Sequence, residues 1–133
     1  MKQTQLIAGY LIKGSKVLAE VRKKSDKFGA GAIWIPGGHI EKNETPKQAF
    51  LREMKEELNI VPKKFSYYCK LPWKHNRKNY LVHYFVCIKW KGKIQNKEAA
   101  KLVWIGLKNL NKLSEQIDKY SVGIFLQNKN KFK

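Results

Sequence analysis

Glu53, Glu56 and Glu57 carry the strongest chemical signal in this chain, because they stand at i, i+3 and i+4 in a sequence with only ten acidic residues. On a helix, three side chains so spaced leave one face within about 100° of one another. Carboxylates crowded in that way repel unless a positive charge sits among them. A hard divalent cation is the natural candidate, since Mg²⁺ takes oxygen ligands and is commonly held by a few carboxylates plus substrate phosphates. Arg52 directly precedes the first of the three, and Glu44 lies shortly upstream.

The element that must position them is well signalled. Thr45 is the expected N-cap, Pro46 the first helical residue, and Gln48 completes a Thr-x-x-Gln capping box. Ala49, Phe50, Met54 and Leu58 give an apolar stripe opposite the acids, and Asn59 can take the left-handed conformation that ends a helix. Upstream, Ile33-Trp34-Ile35 reads as a short strand that breaks at Pro36-Gly37-Gly38. Paired glycines let a backbone turn sharply and approach a ligand or metal closely.

The run from Gly38 to Ile60 reads Gly-x5-Glu-x7-Arg-Glu-Met-x-Glu-Glu-Leu-Asn-Ile, and so resembles the Nudix box, with Asn59 standing where that family has Gly. The resemblance implies an α/β fold, an α/β/α sandwich with a mixed β-sheet carrying a loop-helix-loop motif. It also implies hydrolysis of a nucleoside diphosphate linked to some group X. By the same resemblance Glu56 and Glu57 are metal ligands, the Gly37 carbonyl is a further one, and Glu53 is either a ligand or the base that positions water. Arg52 orients the carboxylates by charge-assisted hydrogen bonds, and Glu44 serves as an outer ligand or structural partner. The implied cofactor is Mg²⁺, with Mn²⁺ a substitute. Residues 1–133 are expected to form a single domain, as 43% hydrophobic content over this length suits one core.

Outside the box, strands are expected near residues 4–12 and 17–22, joined at Lys13-Gly14-Ser15-Lys16, then near 66–73 and 80–90, joined by a basic loop from Lys74 to Asn79. Val103-Trp104-Ile105 is one more strand. Residues 114–127 are an expected closing helix with Ile117, Tyr120, Ile124 and Phe125 inward, and residues 129–133 are expected to fray. The order of elements is similar to that of MutT-like nucleoside triphosphate pyrophosphohydrolases. That narrower resemblance makes Glu98 a distant metal ligand. It also puts Arg22, Lys23, Phe28, Ile35, Gly38, Arg77, Lys78 and Asp118 around the nucleotide. Ile35 replaces an aromatic frequent in MutT proteins, which weakens stacking on an oxidised guanine.

Cys69 and Cys87 lack metal-ligand spacing and are expected to be buried free thiols. No apolar run long enough for a membrane span and no signal-peptide pattern occurs, so a cytoplasmic protein, monomeric or homodimeric, without membrane partners is expected. The net charge of +18 attracts polyphosphates or nucleic acid. Twenty-five of the 28 basic residues are Lys, however, which reads as a composition-wide bias. Tyr67, Tyr68, Trp73, Tyr80, Tyr84 and Trp90 interleave with basic residues, as in surfaces that stack RNA bases, but their periodicity fits sheet packing better. The expected activity is cleavage of a nucleoside triphosphate, canonical or oxidised, to monophosphate and pyrophosphate. ADP-ribose, dinucleoside polyphosphates and RNA 5′ ends are alternative substrates. A non-catalytic RNA- or nucleotide-binding module is the alternative of another class.

Overall fold

The computed structural model describes residues 3–127, so the expected fraying of residues 129–133 lies outside them. The chain forms two compact units, one from Met1–Leu11 with Pro36–Glu98, the other from Ile12–Ile35 with Ala99–Lys133. Strand β1 (Thr4–Lys13) contributes its first part to one and its last residues to the other.

In the first unit, β1 is flanked by β4 (Gly37–His39) and β6 (Lys78–Lys91), and β6 carries β5 (Val61–His75) at its other edge. The β1–β6 pair is parallel and the others antiparallel, so the sheet is mixed. Central strands of this kind are covered on both faces and read as near-continuous apolar runs. Leu6–Leu11 and Val82–Cys87 do so, with only Gly9 and His83 interrupting them. Helix α1 (Pro46–Leu58) packs on one face through Phe50, whose ring stacks on Phe85 at 4.6 Å and tilts against Phe65 at 5.4 Å. Gly9 makes room for it, since a Cβ there would lie 2.6 Å from Phe50 Cε1.

In the second unit, β2 (Lys16–Val21) is central, pairing with the end of β1, with β3 (Ile33–Trp34) and with β7 (Lys101–Gly106). A 3₁₀ segment (Leu107–Lys112) leads to α2 (Gln116–Gln127). No helix among the described residues is long and apolar enough to cross a membrane.

Three expectations require correction. The strand that begins at Ile33 does break before Pro36, but Gly37 and Gly38 do not continue as a turn; they form strand β4, paired with Ala8 and Ile7. Their small size serves close approach, for a Cβ on Gly37 would lie 2.0 Å from the Ile7 carbonyl oxygen. The basic loop from Lys74 to Asn79 contracts to Asn76-Arg77, both with positive φ, which is a two-residue type I′ hairpin turn. In α2 the buried positions are Asp118, Ser121, Val122, Phe125 and Leu126, while Tyr120 is 67% exposed. Polar residues can occupy the inner face because Ser121 Oγ donates to the Ile117 carbonyl at 2.8 Å.

Candidate active site

The carboxylate cluster lies wholly within the first unit. Its helix begins as its local chemistry dictates. Thr45 has extended geometry, its Oγ1 accepts from Gln48 N at 3.1 Å, and Gln48 Oε1 accepts from Thr45 N at 2.8 Å. It ends at Asn59, whose φ of 58° and ψ of 38° are left-handed and whose N–H donates to the Lys55 carbonyl.

Arg52 is the hub. Its Nε donates to Glu44 Oε2 at 2.7 Å, and its Nη1 to Glu53 Oε1 at 2.8 Å and to Glu56 Oε2 at 3.2 Å. Nη2 reaches Glu44 Oε1 at 3.0 Å and the His39 carbonyl at 2.9 Å. Glu41, which sequence reasoning passed over because it falls at a variable position of the motif, lies 3.2 Å from Arg52 Nε. The hydrogen bond to Glu44 pushes Arg52 well above its ordinary pKa, and the same bond with help from the Glu41 N–H holds Glu44 down at about 2. The arginine thus ties the end of β4 to the loop before α1 and to the helix itself.

Glu53 differs from Glu44. Burial pushes its carboxyl upward, Arg52 pulls it back, and the charges of Glu56 and Glu98 push it up again. The carboxylate sits over Gly38, where a Cβ would lie 2.5 Å from Glu53 Cδ and Oε1. Glu57 is 3% exposed and Glu56 exposed. Glu98, 41 residues beyond Glu57 in sequence, acts on Glu53 electrostatically because the segment ahead of it is strapped to the end of α1. Gln95 N donates to the Leu58 carbonyl at 2.9 Å and Lys97 N to the Glu57 carbonyl at 3.2 Å. No local sequence signal marks this strap, since its donors are backbone groups.

Among the described residues no group of three or more His, Cys, Asp or Glu side chains stands arranged as a finished metal site. The donor set nevertheless fits a hard divalent cation, being made of carboxylates and carbonyls without sulfur or imidazole. The absence of a side chain on Gly38 lets the Glu53 carboxylate lie against the β4 backbone, which brings carboxylate and main-chain oxygens close together. Glu53, Glu56, Glu57, Glu98 and the Gly37 carbonyl are the groups that the family resemblance assigns to such an ion.

The remaining candidates divide between the two units. Arg77 and Lys78 are exposed at the tip of the β5–β6 hairpin. Gly38 and His83 both pair with Ile7, and Arg77 lies six residues from that row, about 20 Å along the strand. They are not brought to the carboxylates. Arg22, Lys23, Phe28, Ile35 and Asp118 belong to the second unit. There Arg22 is held by Glu20 at 2.7 Å and Asp26 at 2.8 Å, an ion-pair role that the sequence did not reveal. Lys23 is exposed and its carbonyl accepts from Asp26 N and Gly31 N. Phe28 packs edge-on against Trp34 at 5.3 Å, with Asp26 Oδ1 accepting from the Phe28 and Gly29 N–H groups. Ile35 and Asp118 are buried.

Comparison with known proteins gives a concordant result. The NUDIX domain family model matches residues 4–124. An 8-oxo-dGTP diphosphatase of Escherichia coli K12 is 32% identical over 111 residues, covering 84% of this chain and 86% of that protein. Among solved structures, the E. coli ORF135 protein superposes with a TM-score of 0.81 at 24% identity, covering 97% of this chain and 92% of the other. A MutT NUDIX hydrolase from Burkholderia pseudomallei gives 0.80 at 18% identity, covering 92% and 97%. These likenesses establish the fold class as the Nudix α/β sandwich.

Proposed function

The chain belongs to the Nudix family and is a pyrophosphohydrolase of nucleotide substrates; within it we propose a Mg²⁺-dependent enzyme that cleaves nucleoside triphosphates, an oxidised purine triphosphate among them, to monophosphate and pyrophosphate. The observation that carries this reading is the placement of Glu53 over Gly38, half-buried, tied to Arg52 and within the field of Glu98. The name and coverage of the E. coli relative support the choice of substrate. The family match spans both units, which supports a single catalytic domain.

Glu53, Glu56, Glu57, Glu98 and the Gly37 carbonyl would hold the ion. Bound there, a divalent cation neutralises and polarises the polyphosphate. Water adds to phosphorus, the bridging P–O bond between the α and β phosphates breaks, and the water proton leaves to a base. Where Glu53 does not itself ligate the ion it is that base, since partial burial raises its affinity for a proton. Arg52 keeps Glu53 and Glu56 in fixed orientation through one nitrogen.

The test is turnover by purified protein with millimolar Mg²⁺ on canonical and oxidised nucleoside triphosphates, ADP-ribose, dinucleoside polyphosphates and triphosphorylated RNA. Pyrophosphate release from one triphosphate supports the proposal and names the base. Turnover of another compound alone keeps the chemistry and moves the substrate. Silence throughout the panel favours the binding module. Glu57→Gln, in a chain that otherwise folds, is expected to remove nearly all turnover.

A further inference from the structure

From Asn59 to Lys97 the chain has no acidic residue. The β5–β6 hairpin within that stretch carries eight Lys and Arg residues, every one exposed. They are arranged against their own electrostatic interest. Lys64 pairs with Lys89 at a bulge in β5, while Lys70 faces His83, which burial first and the Lys70 charge next hold toward its neutral form. Like charges facing across a ladder are destabilising, and nothing within the hairpin offsets them. An anionic ligand laid along the strand would.

Between Lys64 and Lys70 on β5 lies an aromatic ring. Tyr67 pairs with Phe85, on the sheet face that also receives Phe50, and is 47% exposed. Its edge-to-face contact with Phe85 at 5.3 Å and the hydrogen bond from its hydroxyl to His83 Nδ1 at 2.8 Å fix the ring. His83 is fixed in turn, its Nε2 lying 2.6 Å from Gln5 Oε1. A buried histidine and a glutamine therefore hold an exposed ring still, which lowers the entropic cost of stacking a base on it. Among the described residues β5 pairs only with β6, and from Lys64 to Lys74 it offers a track of about 30 Å.

We propose that the edge strand β5 is a binding track for single-stranded nucleic acid, in which Lys64, Lys70 and Lys89 contact the backbone and Tyr67 stacks a base. A basic groove with an aromatic platform is the recurring solution to sequence-tolerant single-strand binding. None of these residues belongs to the carboxylate site, so the track does not depend on the hydrolytic reading.

Fluorescence anisotropy with 5′-hydroxyl 12-nucleotide oligouridylate and oligothymidylate tests it, the first reporting RNA and the second DNA. Affinity should fall steeply with salt. In the triple variant Lys64→Gln, Lys70→Gln, Lys89→Gln, the slope of log affinity against log salt should shrink by about 2, from about 0.7 per lost contact to a single strand. Tyr67→Ala should weaken binding about 5-fold or more, while Tyr67→Phe, which keeps the ring, should stay within about 3-fold of the wild type. Equal weakening by Lys13→Gln, Lys16→Gln, Lys112→Gln in the other unit would overturn the proposal. So would binding to phosphatidylserine vesicles without binding to either oligonucleotide. A change of sedimentation mass in Tyr67→Ala with unaltered oligonucleotide affinity would assign the face to a second copy of the chain and overturn it as well.

Discussion

Gly38→Ala separates catalysis from folding in this site. The added Cβ would lie 2.5 Å from Glu53 Cδ and Oε1 and 2.7 Å from Oε2. An ordinary contact needs about 3.5 Å, so the carboxylate must retreat by roughly 1 Å. It can do so, being the end of a flexible side chain, and Gly38 has no positive φ that would strain alanine. The stability cost should therefore stay within about 1 kcal/mol. The catalytic cost should be large, since a displacement of about 1 Å in a reacting constellation is worth on the order of 10²-fold in rate. The neighbouring Gly37→Ala behaves in the opposite way, because its Cβ would lie 2.0 Å from the Ile7 carbonyl oxygen in the β1 ladder. No side chain can yield there, and overpacking of about 2 kcal/mol should lower Tm by roughly 6–10 °C. Steady-state pyrophosphate release and a thermal melt on both variants are the assay, with Mn²⁺ binding as a readout independent of turnover. Gly38→Ala with kcat within about 3-fold of wild type would refute the placement of Glu53 in the reaction.

Three further outcomes are expected. Arg52→Lys replaces a fork that reaches Glu44, Glu53, Glu56 and the His39 carbonyl by a single nitrogen, and kcat should fall about 10- to 100-fold; an unimpaired variant would show that the fork does not orient the carboxylates. Glu53 has a raised folded-state pKa, so its stabilising contribution is present below the unfolded value and lost as pH rises through the folded one. Glu53→Gln should thus raise Tm at pH 8 but not at pH 4, while the wild-type rise of kcat/KM with pH disappears; a Tm gain equal at both values would contradict the burial cause. Asn59→Gly relieves a left-handed residue at the end of α1 and should add about 0.5–1 kcal/mol, or roughly 2–4 °C in Tm, without altering kcat; destabilisation would mean that the Asn side chain contributes to the cap.

What the sequence revealed of the site, it revealed through short-range physics. The capping box, the proline at the first helical position and the i, i+3, i+4 acids all act within one or two turns of α1, so the helix and its chemistry were legible together. Pairing at long range left no comparable trace. That Gly37 and Gly38 form a strand depends on the Ile7 backbone, some thirty residues away, and a glycine pair reads equally well as a turn. On α2 apolar periodicity places Phe125 inside correctly but Tyr120 wrongly, because it ignores a serine that satisfies itself on its own helix; Ser121 does so, leaving Tyr120 outside. The same reasoning explains why the ion pairs of Arg22 were not legible, and why Glu98 was legible only through the family resemblance. Arg22 finds its two carboxylates at close sequence distance, but an extended strand end allows several pairings and only geometry selects one. Glu98 acquires its place through two backbone hydrogen bonds of the segment before it, and backbone donors are identical at every residue. Side-chain chemistry is therefore readable where the backbone path is locally determined, and it is hidden wherever the path is set by main-chain partners far along the chain.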